Sequence, residues 1–166
     1  MIDVAAILPR LLEMLRLKSG PQDLPAGWAL AIGLGLAYIA EGFIADQILG
    51  DTETAPRSLM AIGVQFLAIA TLLNLRGQVI RVPQTLSALA GVGLIFGLMS
   101  IVLLYQAVPG QDQPTLALIW FGVFIWSLVV DAHIYRKALS STMSIGMLVA
   151  VMIFACNFFL IQAIFR

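Results

Sequence analysis

Of the 166 residues, 61% are hydrophobic and 11% are charged; the mean hydropathy is +1.00 and the formal net charge is zero. A soluble domain ordinarily carries about a quarter of its residues charged, and a globule of this size cannot hide so much apolar surface. A water-soluble fold is therefore excluded, and without a basic excess nucleic acid is not an expected partner. One cysteine, Cys156, makes no intrachain disulfide, and together with one histidine, His133, it makes no metal site, so neither metal nor cofactor is expected.

Residues 2–18 place apolar side chains at Val4, Ile7, Leu8, Leu11, Leu12 and Leu15, the rhythm of a one-sided helix, with Asp3, Arg10, Glu13 and Arg16 opposite. The pattern predicts an amphipathic helix lying along the headgroups, its basic face toward the cytoplasmic leaflet, as an anchor or as a docking face for a partner. Pro9 allows two forms: a helix that begins near Leu8 with the proline in its first turn, or a longer helix kinked there. The charged segment is too long for the start of a signal peptide, the apolar run after it is too long as well, and there is no clear small-residue cleavage site, so it is expected to be retained.

Ser19 to Pro25 is a turn-rich break that closes an N-terminal segment of residues 1–24. Residues 25–166 then carry five apolar stretches, at about 28–49, 58–75, 85–105, 115–135 and 142–165. Each is long enough to cross a bilayer as a helix. The third holds no charge from Val82 to Gln111. Pro25, Pro56, Pro83 and Pro114 each stand just before a span, where a missing amide proton costs little, and none falls inside one. The predicted fold class is all-α: a polytopic five-transmembrane-helix bundle in one domain, preceded by the amphipathic interfacial helix.

Orientation follows from the basic residues of the short loops. With the N-terminus inside, the cytoplasmic side receives Arg10, Arg16, Lys18, Arg76, Arg81, Arg136 and Lys137, and the outer side only Arg57 and Arg166. The expected location is a bacterial inner membrane, N-terminus cytoplasmic and C-terminus periplasmic. Trp28 and Tyr135 would anchor the inner interface and Tyr105 the outer one.

In lipid, helices associate through small residues and a few hydrogen bonds. Ala29, Gly33 and Ala37 on span one, and the Gly93–Gly97 pair on span three, are the expected contact ridges, within the chain or against another subunit. With no proline inside a span and no internal repeat, the broken helices typical of many secondary transporters are not expected. Glu41 and Asp46 lie in the outer half of span one. One or both are expected to pair with Arg57 at the mouth of span two, the alternative being an ion or proton site around Glu41.

Asp131 and His133, near the inner end of span four, are two residues apart and point in different directions, so they form no dyad. Asp131 is expected to meet Arg76 or Arg81, and His133 to be an interfacial polar residue. Gln65, Asn74, Asn157 and Gln162 suit interhelical hydrogen bonds, and Cys156 a small buried position. Arg76, Arg81, Arg136 and Lys137 form an inner basic cluster able to hold anionic lipid headgroups. No G-x-S-x-G, H-E-x-x-H or phosphate-binding glycine loop is present, and the short loops have no room for a soluble active site, so the chain is not expected to be an enzyme.

Five spans, the N-terminal helix with Leu8-Pro9-Arg10, the entry Pro83-Gln84-Thr85-Leu86-Ser87-Ala88-Leu89-Ala90-Gly91 and the Trp126 to Leu139 segment together resemble small bacterial inner-membrane proteins related to the Yip1 superfamily. That resemblance implies a non-enzymatic membrane scaffold or adaptor. The expected function is an accessory or scaffold subunit of a larger membrane assembly, its partners being membrane lipids and other membrane subunits or a second copy. The alternative is a small transporter, channel or lipid-binding protein using Glu41 and Asp46 or the inner basic cluster.

Overall fold

A computed structural model describes residues 4–49, 54–108 and 110–165. Among these there are six α-helices and no strand: α1 (Val4–Leu15), α2 (Trp28–Leu49), α3 (Thr54–Leu75), α4 (Val82–Leu104), α5 (Pro114–Ala138) and α6 (Met143–Ile164). Helices α2 to α6 are each long and apolar enough to cross a membrane. The chain is an all-α, multi-pass membrane protein. Its outer surface agrees with an acyl solvent: Leu67, Leu75, Leu118 and Phe159 are 70%, 78%, 70% and 70% exposed, an apolar coat that water would not support.

The helix limits have local causes. Pro83 and Pro114 occupy the first turns of α4 and α5, where their missing N–H groups would have had no partner. Helix α3 starts at Thr54, four residues before the expected Ser58, because Pro56 is accommodated inside its first turn instead of preceding it. Three helices close through a left-handed residue just past their ends. Leu17, Gly77 and Ser140 have φ of 60°, 67° and 51°. The N–H groups that follow them reach back to Glu13, Leu73 and Arg136 at 2.9, 2.8 and 2.8 Å, capping the exposed carbonyls.

Helix α4 is the axis of the bundle, touching α1, α2, α3 and α5. Its first half buries Thr85, Ser87, Ala88, Ala90 and Gly91, side chains small enough for close helix approach. Its second half turns Leu98 and Val102 outward. Helices α5 and α6 form the other tight pair: a Cβ on Gly146 would run into the Ala132 backbone carbonyl.

The N-terminal helix is present, but its apolar side is turned onto the bundle. Ile7, Leu11 and Met14 are buried, and Leu11 fills the space that a Cβ on Gly91 would need. Gly91 lies nine residues into α4, about 14 Å along its axis, so α1 leans against the spans instead of only resting on headgroups. Leu8 and Leu12 stay exposed on the outer side, as does the Arg10–Glu13 pair, 3.1 Å apart. The helix runs through Pro9, the longer of the two expected forms, losing one backbone bond. Asp3 lies outside the described residues.

Other expectations need correction. Helix α2 meets the glycines of α4 with Tyr38 and Glu41, and Gly33 is not part of a close contact: nothing described lies within 4 Å of a Cβ there. The glycines that allow the close approach are those of α4, Gly93 and Gly97, which receive Tyr38 and Glu41. Trp28 and Tyr105 are exposed, as interface anchors would be, whereas Tyr135 is buried, its hydroxyl engaged inside the bundle. Cys156 is exposed on α6, not buried.

Candidate functional site in the membrane interior

Two glycines of α4 make room for two polar side chains of α2. Tyr38 and Glu41, three residues apart, share one face of that helix. A Cβ on Gly93 would fall 2.7 Å from the Tyr38 ring, and one on Gly97 would collide with the Glu41 carboxyl. The Gly-x-x-x-Gly spacing therefore admits a phenol and a carboxyl into the space between two spans. Glu41 is 8% exposed, and among the described residues it has neither a hydrogen bond nor an ion pair.

Helices α3, α5 and α6 complete the polar lining. Gln65 Nε2 donates to Asp131 Oδ2 at 3.1 Å and to the Tyr135 hydroxyl at 2.8 Å. Asp131 and Tyr135 are one turn apart, so one amide on α3 ties down both. Asn157 Nδ2 donates to the Ala61 carbonyl at 3.3 Å, while its Oδ1 is buried without a partner. A cavity of about 250 Å³ is bounded by Tyr38, Glu41, Ser58, Gln65, Gly97 and Asn157. A second, of about 220 Å³, is bounded by Tyr38, Gln65, Gly93, Ser100, Ser127 and Asp131, with Gly97 in its wall as well. Tyr38, Gln65 and Gly97 wall both, so Glu41 and Asp131 stand at the two ends of one polar string to which all five spans contribute.

Such an arrangement has a definite chemistry. A carboxyl held among apolar helices without a basic partner is stable only if it carries a proton or a counter-cation. Neutral oxygens around it, from Tyr38, Ser58, Ser100, Ser127 and the orphaned Asn157 Oδ1, are ligands for a hard monovalent ion or a short water file. Among the described residues no three His, Cys, Asp or Glu side chains gather closely enough to ligate a metal ion together.

Two of the expected ion pairs, Glu41 with Arg57 and Asp131 with an arginine, do not form among the described residues. No pair joins Glu41 to Arg57 among the described residues; the Arg57 guanidinium lies 5.7 Å from the centroid of the Phe165 ring, a cation–π distance. The side chain of Asp46 lies outside the description. Asp131 turns to Gln65, not to Arg76 or Arg81, because it sits five residues before Arg136, about 7.5 Å deeper along the helix than the basic end. Arg76 is exposed and joins neither group. His133 is buried within the protein: it is 1% exposed, and its Nε2 donates to the Ser19 carbonyl at 2.8 Å, latching the N-terminal segment to α5. In the sequence Tyr38 is marked only by its place one turn before Glu41, and Gln65 reads only as a generic interhelical donor.

At the basic end, Arg81 Nη1 donates to the Ala138 carbonyl at 3.1 Å, to Ser140 Oγ at 2.7 Å and to Gln78 Oε1 at 3.3 Å. Gln84 Nε2 donates to the Leu24 carbonyl at 2.8 Å. Arg81, Arg136 and Lys137 thus converge where α4 begins and α5 ends. Comparison with protein-family models, with curated proteins and with solved structures finds no match for this chain.

Proposed function

We propose that this chain is a small, non-enzymatic protein of the bacterial inner membrane, N-terminus cytoplasmic and C-terminus periplasmic, that takes a proton or a small monovalent cation into its interior and passes it between Glu41 and Asp131. What supports the reading is one observation: both carboxyls line the same polar string between the spans, and neither has a basic partner among the described residues. Tyr38 and Gln65, shared by the two cavities, are the relay between them.

Reconstitution into vesicles loaded with a pH-sensitive dye, or with a sodium- or potassium-sensitive one, tests it. The wild type dissipates an imposed gradient of one of these ions. Glu41→Gln and Asp131→Asn each slow the decay by about tenfold, the factor corresponding to about 1.4 kcal/mol, while eluting as the wild type does in detergent. Decay no faster than in empty vesicles, for all three ions, sinks the proposal.

A second reading has its own observation. Ala29 and Gly33 are exposed, with open space at Gly33, and with Ala37 they make a small-residue stripe of a kind that suits another transmembrane helix. It favours an accessory or scaffold subunit, the role implied by the Yip1-like resemblance, with another membrane protein or a second copy as partner. Purification in mild detergent followed by mass spectrometry should then recover a partner in fixed ratio that is lost in Gly33→Leu; retention of the partner in that variant removes the stripe from consideration.

A further inference from the structure

The basic end holds an unanswered electrostatic problem. A cavity of about 300 Å³ is lined by Arg81, Arg136 and Lys137, together with Gln84 and Ser141, and no carboxylate lines it. Arg136 Nε and Ser141 Oγ are buried without any hydrogen-bond partner. A buried N–H of a permanent cation lacking an acceptor is costly, and Arg136 shares the wall of this cavity with two further cations. The guanidinium of Arg81 is held in place through Nη1 by Ala138, Ser140 and Gln78. The site is preorganised for an occupant that brings negative charge and several acceptor oxygens.

We propose that this cavity binds a phosphate-bearing group. Phosphate offers the acceptor count and charge that guanidinium and ammonium groups match. The fourth wall is the N-terminal segment, where Pro21 and Gln22 close the cavity. Two contacts hold that wall to the helices, His133 on the Ser19 carbonyl and Gln84 on the Leu24 carbonyl, and the Gly20 amide on Asp23 Oδ2 at 2.7 Å braces it internally. That last bond occupies the carboxylate nearest the cavity in sequence. Val79 and Ile80, just before Arg81, are 54% and 86% exposed, apolar surface positioned for the acyl chains of a bound phospholipid. The shared chemistry is the phosphate; a lipid headgroup and a free phosphate are its two sources. The site is independent of any ion in the interior.

Calorimetric titration of the full chain in detergent decides it, with dioctanoyl phosphatidylglycerol, dioctanoyl phosphatidylcholine and inorganic phosphate as probes. Saturable binding of phosphatidylglycerol above phosphatidylcholine identifies a lipid headgroup as the source, whereas binding of inorganic phosphate with equal or greater affinity identifies a soluble one. Arg136→Gln combined with Lys137→Gln weakens the binding by about tenfold to a hundredfold, the loss expected for charge-assisted bonds. Arg76→Gln, which changes an exposed cation away from the cavity, leaves it unaltered. Should the double variant fail to fold, Lys137→Gln alone, at an exposed side chain, must still weaken binding. Absence of binding by phosphatidylglycerol and by inorganic phosphate, equal affinity in the variants, or equal weakening by Arg76→Gln overturns the proposal.

Discussion

Gly97 and Gly33 are both glycines in apolar helices, and sequence alone treats them alike. Their neighbours do not: at Gly97 an added methyl meets the Glu41 carboxyl, at Gly33 it meets nothing described. Gly97→Ala should therefore destabilise the bundle by about 1–3 kcal/mol through overpacking. Gly33→Ala should be neutral or stabilising by up to about 1 kcal/mol, since alanine is the better helix former. Unfolding in mixed micelles measures both, and equal effects would remove Gly97 from the α2–α4 contact. What was legible at this scale was the Gly93 and Gly97 spacing as a place of close approach. The side chains that fill it, and the turn of Asp131 to Gln65 instead of to arginine, depend on which helix stands opposite, and spacing along one helix carries no such information.

At the scale of elements, α1 separates pattern from environment. Its one-sided run of apolar residues was readable, yet a greasy helix face fits a lipid surface and a protein groove equally well. The groove exists because Gly91 leaves a gap for Leu11 and because His133 holds the Ser19 carbonyl. Histidine at that position reads from sequence as a helix-end polar group; only the fold brings Ser19, 114 residues away in the chain, against it. Gly91→Leu fills the gap, and His133→Ala leaves the Ser19 carbonyl without its donor, a loss of about 1–3 kcal/mol. Both variants should release the N-terminal segment while the spans stay folded. Hydrogen exchange should show protection of the amides from Leu11 to Leu24 falling by about tenfold or more, with those of α4 to α6 unchanged. Unaltered exchange in α1 in both variants would show that the helix is held by something other than these two contacts.

For the molecule as a whole, the five spans were legible because apolar length is a property each helix carries by itself. Their arrangement was not: α4 at the centre, α2 packed more closely on α4 than on its chain neighbour α3, and α5 paired with α6 all follow from cross-helix fit at Gly93, Gly97 and Gly146. Five crossings place α1 and the end of α6 on opposite faces of the bilayer. The end where α1, Arg81, Arg136 and Lys137 gather is the one the distribution of basic residues assigns to the cytoplasm. A reporter enzyme active only in the periplasm should accordingly be active when fused after Arg166 and silent when fused after Lys137. The reverse pattern would turn the molecule over, putting the basic cavity on the periplasmic face and Glu41 in the cytoplasmic half of the membrane. Activity at both positions would mean that α6, the one span between them, does not cross the membrane.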